Sequence, residues 1–444
     1  MKRLLFTFAA SAVLTASTSA NAQSWLQAGA ATQGTGIKTG DVEFHPGVGV
    51  ELGYDSNYFQ RSGIAGDPAG PVVDTVRLRV SPSLNVSTLA AKGPQSVKFV
   101  GGVAIAYSEF LSNTGPSSDQ TTLGRNREVG VTGNAALSIL PGHPFSVNIA
   151  DFFARTTQPS YSNDVTQGLD RDDNRISLEG IYTKAGGLLD WRVGAAVGFT
   201  LFENVSAAPL SNYRYEGYTR GKWRFLPRTA LVYEYTVTAI TYDSAAGSTV
   251  SRPNGYPMKV RVGLNGLLTD RLTVNALVGW GATFYQGGGD FDSFIGQLEG
   301  RYFLGEGPNS GNSVALGVSR DFTTSFIGNY ATSNRVYGSA TTLIAQRFFL
   351  SASAGISYTQ YPDVYDVLNP TVKVNNAFTA VNADVSIFGE YRVRDWLAFN
   401  ATFLYAGQLK DETVTYNVST TGTATPFNFK YNRFQALVGV RVYL

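Results

Sequence analysis

Residues 385–405, VSIFGEYRVRDWLAFNATFLY, carry apolar side chains at every second position on both sides of Arg394-Asp395. Val385, Ile387, Val393, Leu397, Phe399 and Phe403 share one parity; Ser386, Glu390, Arg392, Asn400 and Thr402 share the other. Alternation of this kind marks a strand whose two faces meet different surroundings, so the stretch predicts a hairpin. Comparable stretches recur about every 23 residues from residue 45 onward, roughly 18 in all. They fall near 48–58, 75–87, 96–110, 127–140, 144–154, 174–183, 188–202, 212–225, 229–242, 258–268, 271–285, 293–304, 312–321, 334–344, 348–358, 378–393, 396–405 and 431–444. Most reach the roughly 9–11 residues that a tilted strand needs to cross a bilayer; soluble strands are shorter, at about five or six.

The connections alternate in length. PGHP at 141–144, LPR at 226–228, Thr269-Asp270, AQR at 345–347 and Arg394-Asp395 are tight. The segments 60–73, 112–126, 156–173, 243–257, 359–377 and 407–430 are long and polar, and all fall on the other parity. A sandwich has no reason to segregate its loops in this way, whereas an outer-membrane barrel has short periplasmic turns and long extracellular loops. The expected fold is therefore all-β: a transmembrane up-and-down antiparallel β-barrel of about 18 strands, its apolar parity toward lipid and its polar parity toward water.

Aromatic residues fit that orientation. Tyr54, Tyr107, Tyr213, Tyr215, Phe284, Tyr358 and Tyr405 would mark an outer girdle, and Trp191, Trp223, Phe225, Tyr302, Tyr391 and Trp396 an inner one, where amphipathic rings settle at the lipid–water boundary. The last stretch, FQALVGVRVYL, resembles the C-terminal strand by which outer-membrane proteins reach the barrel assembly machinery, although it ends in Leu444 and has Leu437 on the polar parity.

Composition sharpens the picture. Among 444 residues only 15% are charged, while Gly numbers 48, Tyr 24 and Phe 27. Such a chain is too polar for a bundle of membrane helices and too poor in charge for an ordinary soluble surface. Cys is absent, which suits passage through an oxidising compartment and removes thiol chemistry. Lys2 and Arg3, the apolar LLFTFAASAVLTA and Ala20-Asn21-Ala22 read as a signal peptide over 1–22. Residues 23–44 are expected to form a periplasmic or lumenal segment, and 45–444 the barrel.

The inward parity is basic. It collects Arg77, Arg79, Lys98, Arg192, Arg214, Arg220, Lys222 and Arg224, then Lys259, Arg261, Arg301, Arg335, Arg392, Arg433 and Arg441. Its acids are fewer: Glu51, Glu179, Asp190, Glu216, Glu234, Glu299, Asp384 and Glu390. A wall of one sign concentrates the opposite ion and sets pore selectivity. YRYEGYTRGKWRF (213–225) is the densest case, with Tyr218 among its cations as a ring on which a sugar can stack. Pairing of these arginines with wall carboxylates is the competing reading.

Other chemistry is sparse. DRDDNR (170–175) spaces its acids like a calcium loop but has Arg175 where such a loop needs glycine, so a solvated loop is expected there. His45 and His143 have no evident serine or aspartate partner, and Gly287–Gly289 precede no helix. No enzyme, cofactor, metal or nucleic-acid role is expected.

GVGVELGYDSNYF (47–59), followed by VRLRVSPSLNVST (76–88), resembles the opening of the beta-barrel porin 2 family, most closely at Gly53-Tyr54-Asp55-Ser56-Asn57. The resemblance implies an outer-membrane conduit for a capsular or exopolysaccharide, served by a periplasmic polysaccharide-export protein. The expected function is passive export of an anionic polysaccharide through the basic lumen. A porin for small anions or oligosaccharides, and a structural or adhesive surface barrel, are the alternatives; the last long loop, 407–430, is the expected plug or gate.

Overall fold

The computed structural model describes residues 36–444 except 66–69, 89–95, 118–122, 124–127, 157–169, 204–208, 244–251, 306–310, 326, 367–370 and 417–424. Residues 1–22, expected to be a signal peptide, lie outside the described residues. Eighteen long strands run in chain order: β1 Val42–Asp55, β2 Thr75–Thr88, β3 Val97–Asn113, β4 Glu128–Ile139, β5 Phe145–Thr156, β6 Arg171–Thr183, β7 Leu189–Phe202, β8 Asn212–Leu226 and β9 Thr229–Tyr242. They continue as β10 Gly255–Leu267, β11 Leu272–Tyr285, β12 Phe291–Phe303, β13 Ser313–Thr324, β14 Tyr330–Ile344, β15 Phe348–Tyr361, β16 Phe378–Arg394, β17 Leu397–Gln408 and β18 Tyr431–Tyr443.

Each strand pairs antiparallel with the next, and β1 pairs with β18 from Gly47↔Tyr443 to Asp55↔Gln435, which closes the sheet. Closure removes the unpaired edges that hydrocarbon forbids. The first strand opens at Val42, before the expected residue 45, because its ladder with β2 already holds Val42 opposite Thr88. A short strand, Ile37–Thr39, folds back on it.

The faces divide as the alternation predicts. On β1, Val48, Val50 and Leu52 are exposed while Glu51 and Asp55 are buried. On β16 and β17, Ile387, Phe399 and Phe403 are exposed while Glu390, Asn400 and Thr402 are buried. The apolar side chains are the ones left bare, the reverse of a soluble core, so the bare band is the lipid face. All six residues of the inner girdle are exposed at strand ends, as are Tyr213, Tyr215, Phe284 and Tyr358 of the outer one.

The turns at one end are tight, and this end is periplasmic. Between β14 and β15, Ala345 and Gln346 both take φ near +50° and Arg347 N–H donates to the Ile344 carbonyl at 3.1 Å. This is the twist-matching two-residue turn that glycine or asparagine usually occupies. Length does not segregate completely: the outer connections 286–290 and 325–329 are short, and the inner one at 304–312 is longer.

At the outer end, the short strands Thr413–Tyr416 and Thr425–Asn428 pair within the last long loop. Val414 and Phe429 are buried there with Ile327, Tyr361, Val364 and Phe378. Tyr361 and Phe378 stack at 4.5 Å. The described parts of the last loop are thus packed against its neighbours around a small shared apolar core.

Candidate functional site

The candidate site is the inner wall. Most of the bases expected to form a cationic track are held by carboxylates. Arg77 meets Glu128 at 3.4 Å, Arg79 donates to Glu51 at 2.7 Å, and Arg441 meets Glu390 at 3.1 Å. Arg214 lies 3.7 Å from Asp173, Arg220 2.6 Å from Glu179, Lys259 2.7 Å from Asp321 and Arg261 3.1 Å from Glu234. Arg301 meets Glu299 at 3.1 Å, and Arg335 grips Asp384 with two bonds of 2.6 and 2.8 Å.

This corrects the excess of positive charge expected of the lumen. Several partners, Asp55, Glu128, Asp173 and Asp321, lie at or near strand ends, and they are missing from the inward acids counted from the sequence; Asp173 falls outside its stretch altogether. The corrected element is DRDDNR: Arg171–Arg175 belongs to β6, with Arg171 on Asp173 at 3.2 Å and Asn174 donating to Asp151 at 2.8 Å. Arg175, the last residue of DRDDNR and absent from the inward bases expected from the sequence, bonds Glu216 of β8 at 2.5 Å. Tyr218 sits half-buried between Arg175 and Arg220, whose guanidinium carbons lie 5.8 and 5.9 Å from its ring centroid.

Four of the expected bases remain uncommitted. Among the described residues, Lys98, Lys222, Arg224 and Arg392 have no carboxylate within ion-pair distance. All four point inward within a few residues of the periplasmic turns, on β3, β8 and β16. Lys184, Arg271, Arg347 and Arg394, at the turns of the same end, also have no ion-pair partner among the described residues.

The wall is not uniform around its circumference. On β17, β18, β1 and β2 the inward side chains are buried. Arg433 and Asp55 are both 0% exposed and share bonds of 3.0 and 3.2 Å; Gln435 also donates to Asp55. The Arg441 guanidinium packs 4.9 Å from the Phe388 ring centroid, and that of Arg433 lies 5.7 Å from Tyr58. Leu437, the apolar residue on the polar parity, is buried against Gly53, where a Cβ would lie 2.8 Å from its side chain. Just beyond β1, the Tyr58 hydroxyl bonds Glu128; burial, then that carboxylate, push it well above its ordinary pKa. From β6 to β14, by contrast, many wall pairs are partly open to water, although Glu179 and Arg171 are buried: Arg335 of β14 and its partner Asp384 of β16 are 35 and 34% exposed.

Gly53-Tyr54-Asp55-Ser56-Asn57, the stretch that carries the family resemblance, has a structural task here. Tyr54 bonds Asp74, Asp55 takes Arg433, Ser56 Oγ accepts from Phe434 N–H, and Asn57 donates to the Arg61 and Asn432 carbonyls. It fastens the outer end of the first strand to the last.

No family model matches the chain, and no curated protein matches it. Among solved structures it is similar to a BenF-like porin from Pseudomonas fluorescens Pf-5, at 10% identity and TM-score 0.44 over 91% of this chain and 99% of that one. It is similar to OpdK from Pseudomonas aeruginosa with vanillate, at 11% identity and TM-score 0.45 over 90% and 99%. It is also similar to the siderophore receptor PirA from Pseudomonas aeruginosa, at 11% identity and TM-score 0.40 over 90% and 80%. No residue or ligand is carried over from them. The closed sheet, bare apolar band and polar inner wall are those of a barrel of the Gram-negative outer membrane.

Proposed function

We propose that this chain is an outer-membrane diffusion channel for small anions or oligosaccharides, with the water-exposed arc from β6 to β14 as its path. The carrying observation is the set of four inward bases at the periplasmic mouth, Lys98, Lys222, Arg224 and Arg392, that no carboxylate among the described residues neutralises. Paired charges along the wall cancel at a distance, so the unpaired ones set the field that an ion meets at the mouth. Arg220, Arg261, Arg301 and Arg335 offer weak, repeated contacts that a solute can exchange for their wall carboxylates, and Tyr218 offers a ring. Weak multi-site contact allows passage, where one strong site would stall it.

The test is conductance in planar bilayers under a potassium chloride gradient. We expect a reversal potential on the chloride-selective side, moving toward zero when all four bases become glutamine. Absence of any conductance above the bare bilayer would sink the channel reading. A second reading, export of an anionic polysaccharide, is favoured by the location of the same bases on the side from which an exported polymer arrives. Deletion with assay of surface polysaccharide separates the two; unchanged polymer leaves the porin reading alone.

A further inference from the structure

The wall has a split on its lipid face. The β12–β13 ladder runs from Phe303↔Ser313 to Gly296↔Arg320 and stops. Beyond it, Phe291–Ile295 pair only with β11, and Asp321–Thr324 pair only with β14. At about 3.3 Å per residue the split runs for roughly 16 Å. Lipid-exposed Trp280 and Phe294 flank it, and the Trp280 indole N–H bonds Asp292, which sets the split at the outer-leaflet boundary.

Alternation places Phe322 with Val314, Leu316 and Val318 on the lipid parity, yet those three are exposed and Phe322 is 1% exposed. Its ring lies 4.4 Å from that of Phe291 and beside Ile295, both inward residues of β12. A Cβ on Gly281 of β11 would lie 2.3 Å from the same ring. The end of β13 has therefore slipped inside β12, so two layers of wall overlap with a packed apolar seam between them.

Arg320 clasps the seam. Its Nε donates to the Phe294 carbonyl at 3.1 Å, one terminal nitrogen to Asn334 at 2.9 Å and the other to Ser293 at 3.4 Å. A side chain thus stands in for the missing ladder, as hydrocarbon requires of a backbone group that would otherwise be unpaired. At the lumen end, the Lys259 ammonium lies 4.7 Å from the Phe322 ring centroid. It bonds Asp321 and the Phe322 carbonyl at 2.7 and 2.8 Å, which leaves one of its three donors for a ligand.

We propose that this split is a lateral slot that admits the tail of a single-chain anionic amphiphile from the outer leaflet, Phe322 swinging aside and Lys259 meeting the head group. The side facing lipid fixes where the ligand comes from. The apolar lining fixes its tail, and the remaining donor of Lys259, which already bonds Asp321 at 2.7 Å, favours a head group that accepts a charge-assisted hydrogen bond. This inference is independent of which solutes use the lumen.

The chain has no cysteine, so a Phe291→Cys/Phe322→Cys pair can be oxidised without competing thiols. The full barrel in phosphatidylcholine vesicles would be photolabelled with a diazirine-bearing dodecanoate and the label mapped by mass spectrometry. Label should concentrate on 291–295 and 320–322, yield to unlabelled dodecanoate, fall at least tenfold in the oxidised pair and return on reduction. Lys259→Gln should weaken competition by dodecanoate and leave competition by dodecanol unchanged. Phe322→Trp, which fills the slot without a cross-link, should also lower labelling and serves if the cysteine pair does not fold. Label spread evenly over Val314, Leu316 and Leu298, and indifferent to both oxidation and Phe322→Trp, would overturn the slot.

Discussion

The closure arc (β17, β18, β1 and β2) and the arc from β6 to β14 use the same residue types in opposite ways. Both alternate arginine and carboxylate on the inward parity. In the closure arc the pairs are dry: Arg433 and Asp55 are 0% exposed, Arg79 and Glu51 5 and 1%. In the other arc several are wet: Arg175 is 34% exposed and Arg301 45%. What differs is the apolar company. Phe388, Leu437 and Tyr58 press on the closure arc, whereas inward positions of the wet arc hold Gly194, Gly263, Gly279 and Asn275. A buried charge must keep its partner, but a wet one can exchange it for a solute. The same alternation thus makes a lock on one side and a path on the other.

The largest effect should come from breaking the lock. Arg433→Met leaves Asp55 buried without its salt-bridge partner and should cost about 3–5 kcal/mol. Urea unfolding of the barrel in micelles, followed by tryptophan fluorescence, would read it. Adding Asp55→Leu should recover much of the loss, because removing both partners removes the stranded charge. If the single variant unfolds at the wild-type midpoint, the closure arc is not dry.

The matched change on the wet arc should do little to stability. Arg335→Met loses a two-bond grip on Asp384, but both groups are near a third exposed, so the cost should stay within about 0–1 kcal/mol. Its effect should instead be on passage: Asp384 is left unpaired, and chloride preference should fall in the planar-bilayer measurement. A stability loss as large as that of Arg433→Met would erase the distinction between the arcs.

Sequence made the strands legible because alternation is local and repeats at every crossing. It also made the faces legible, including the odd apolar residue at Leu437. Ion-pair partners were not legible, for a geometric reason. Arg77 reaches Glu128 across the intervening β3, and Arg433 meets an aspartate at the opposite end of the chain. Parity says which face a charge is on and not which neighbour it meets. Strand ends were read short where charges interrupt the pattern, as at Asp173 and Asp321. The β12–β13 split left one trace, Arg320 on the lipid parity between Val318 and Phe322; alternation reports the parity of that charge and not that the partner strand has moved away.

The smallest effect should come from a carboxylate at the outer rim of the wet arc. Asp170 precedes β6, and its carbonyl accepts from Glu203 N–H at 3.0 Å. The Glu203 carboxylate is held by Arg155 at 2.7 Å. Burial first, then the Glu203 carboxylate, push Asp170 from its ordinary 3.8 to about 6. The folded barrel therefore keeps a proton that the unfolded chain has released across this window. Stability is fullest below the unfolded value, falls as pH rises toward about 6, and is level above it. The change should be modest, since the group is only partly shielded from water. Asp170→Asn cannot titrate and should flatten the slope between pH 4 and 6 in the same urea measurement. An unchanged slope in that variant would assign the titration to another group and leave the outer rim of this arc as wet as its middle.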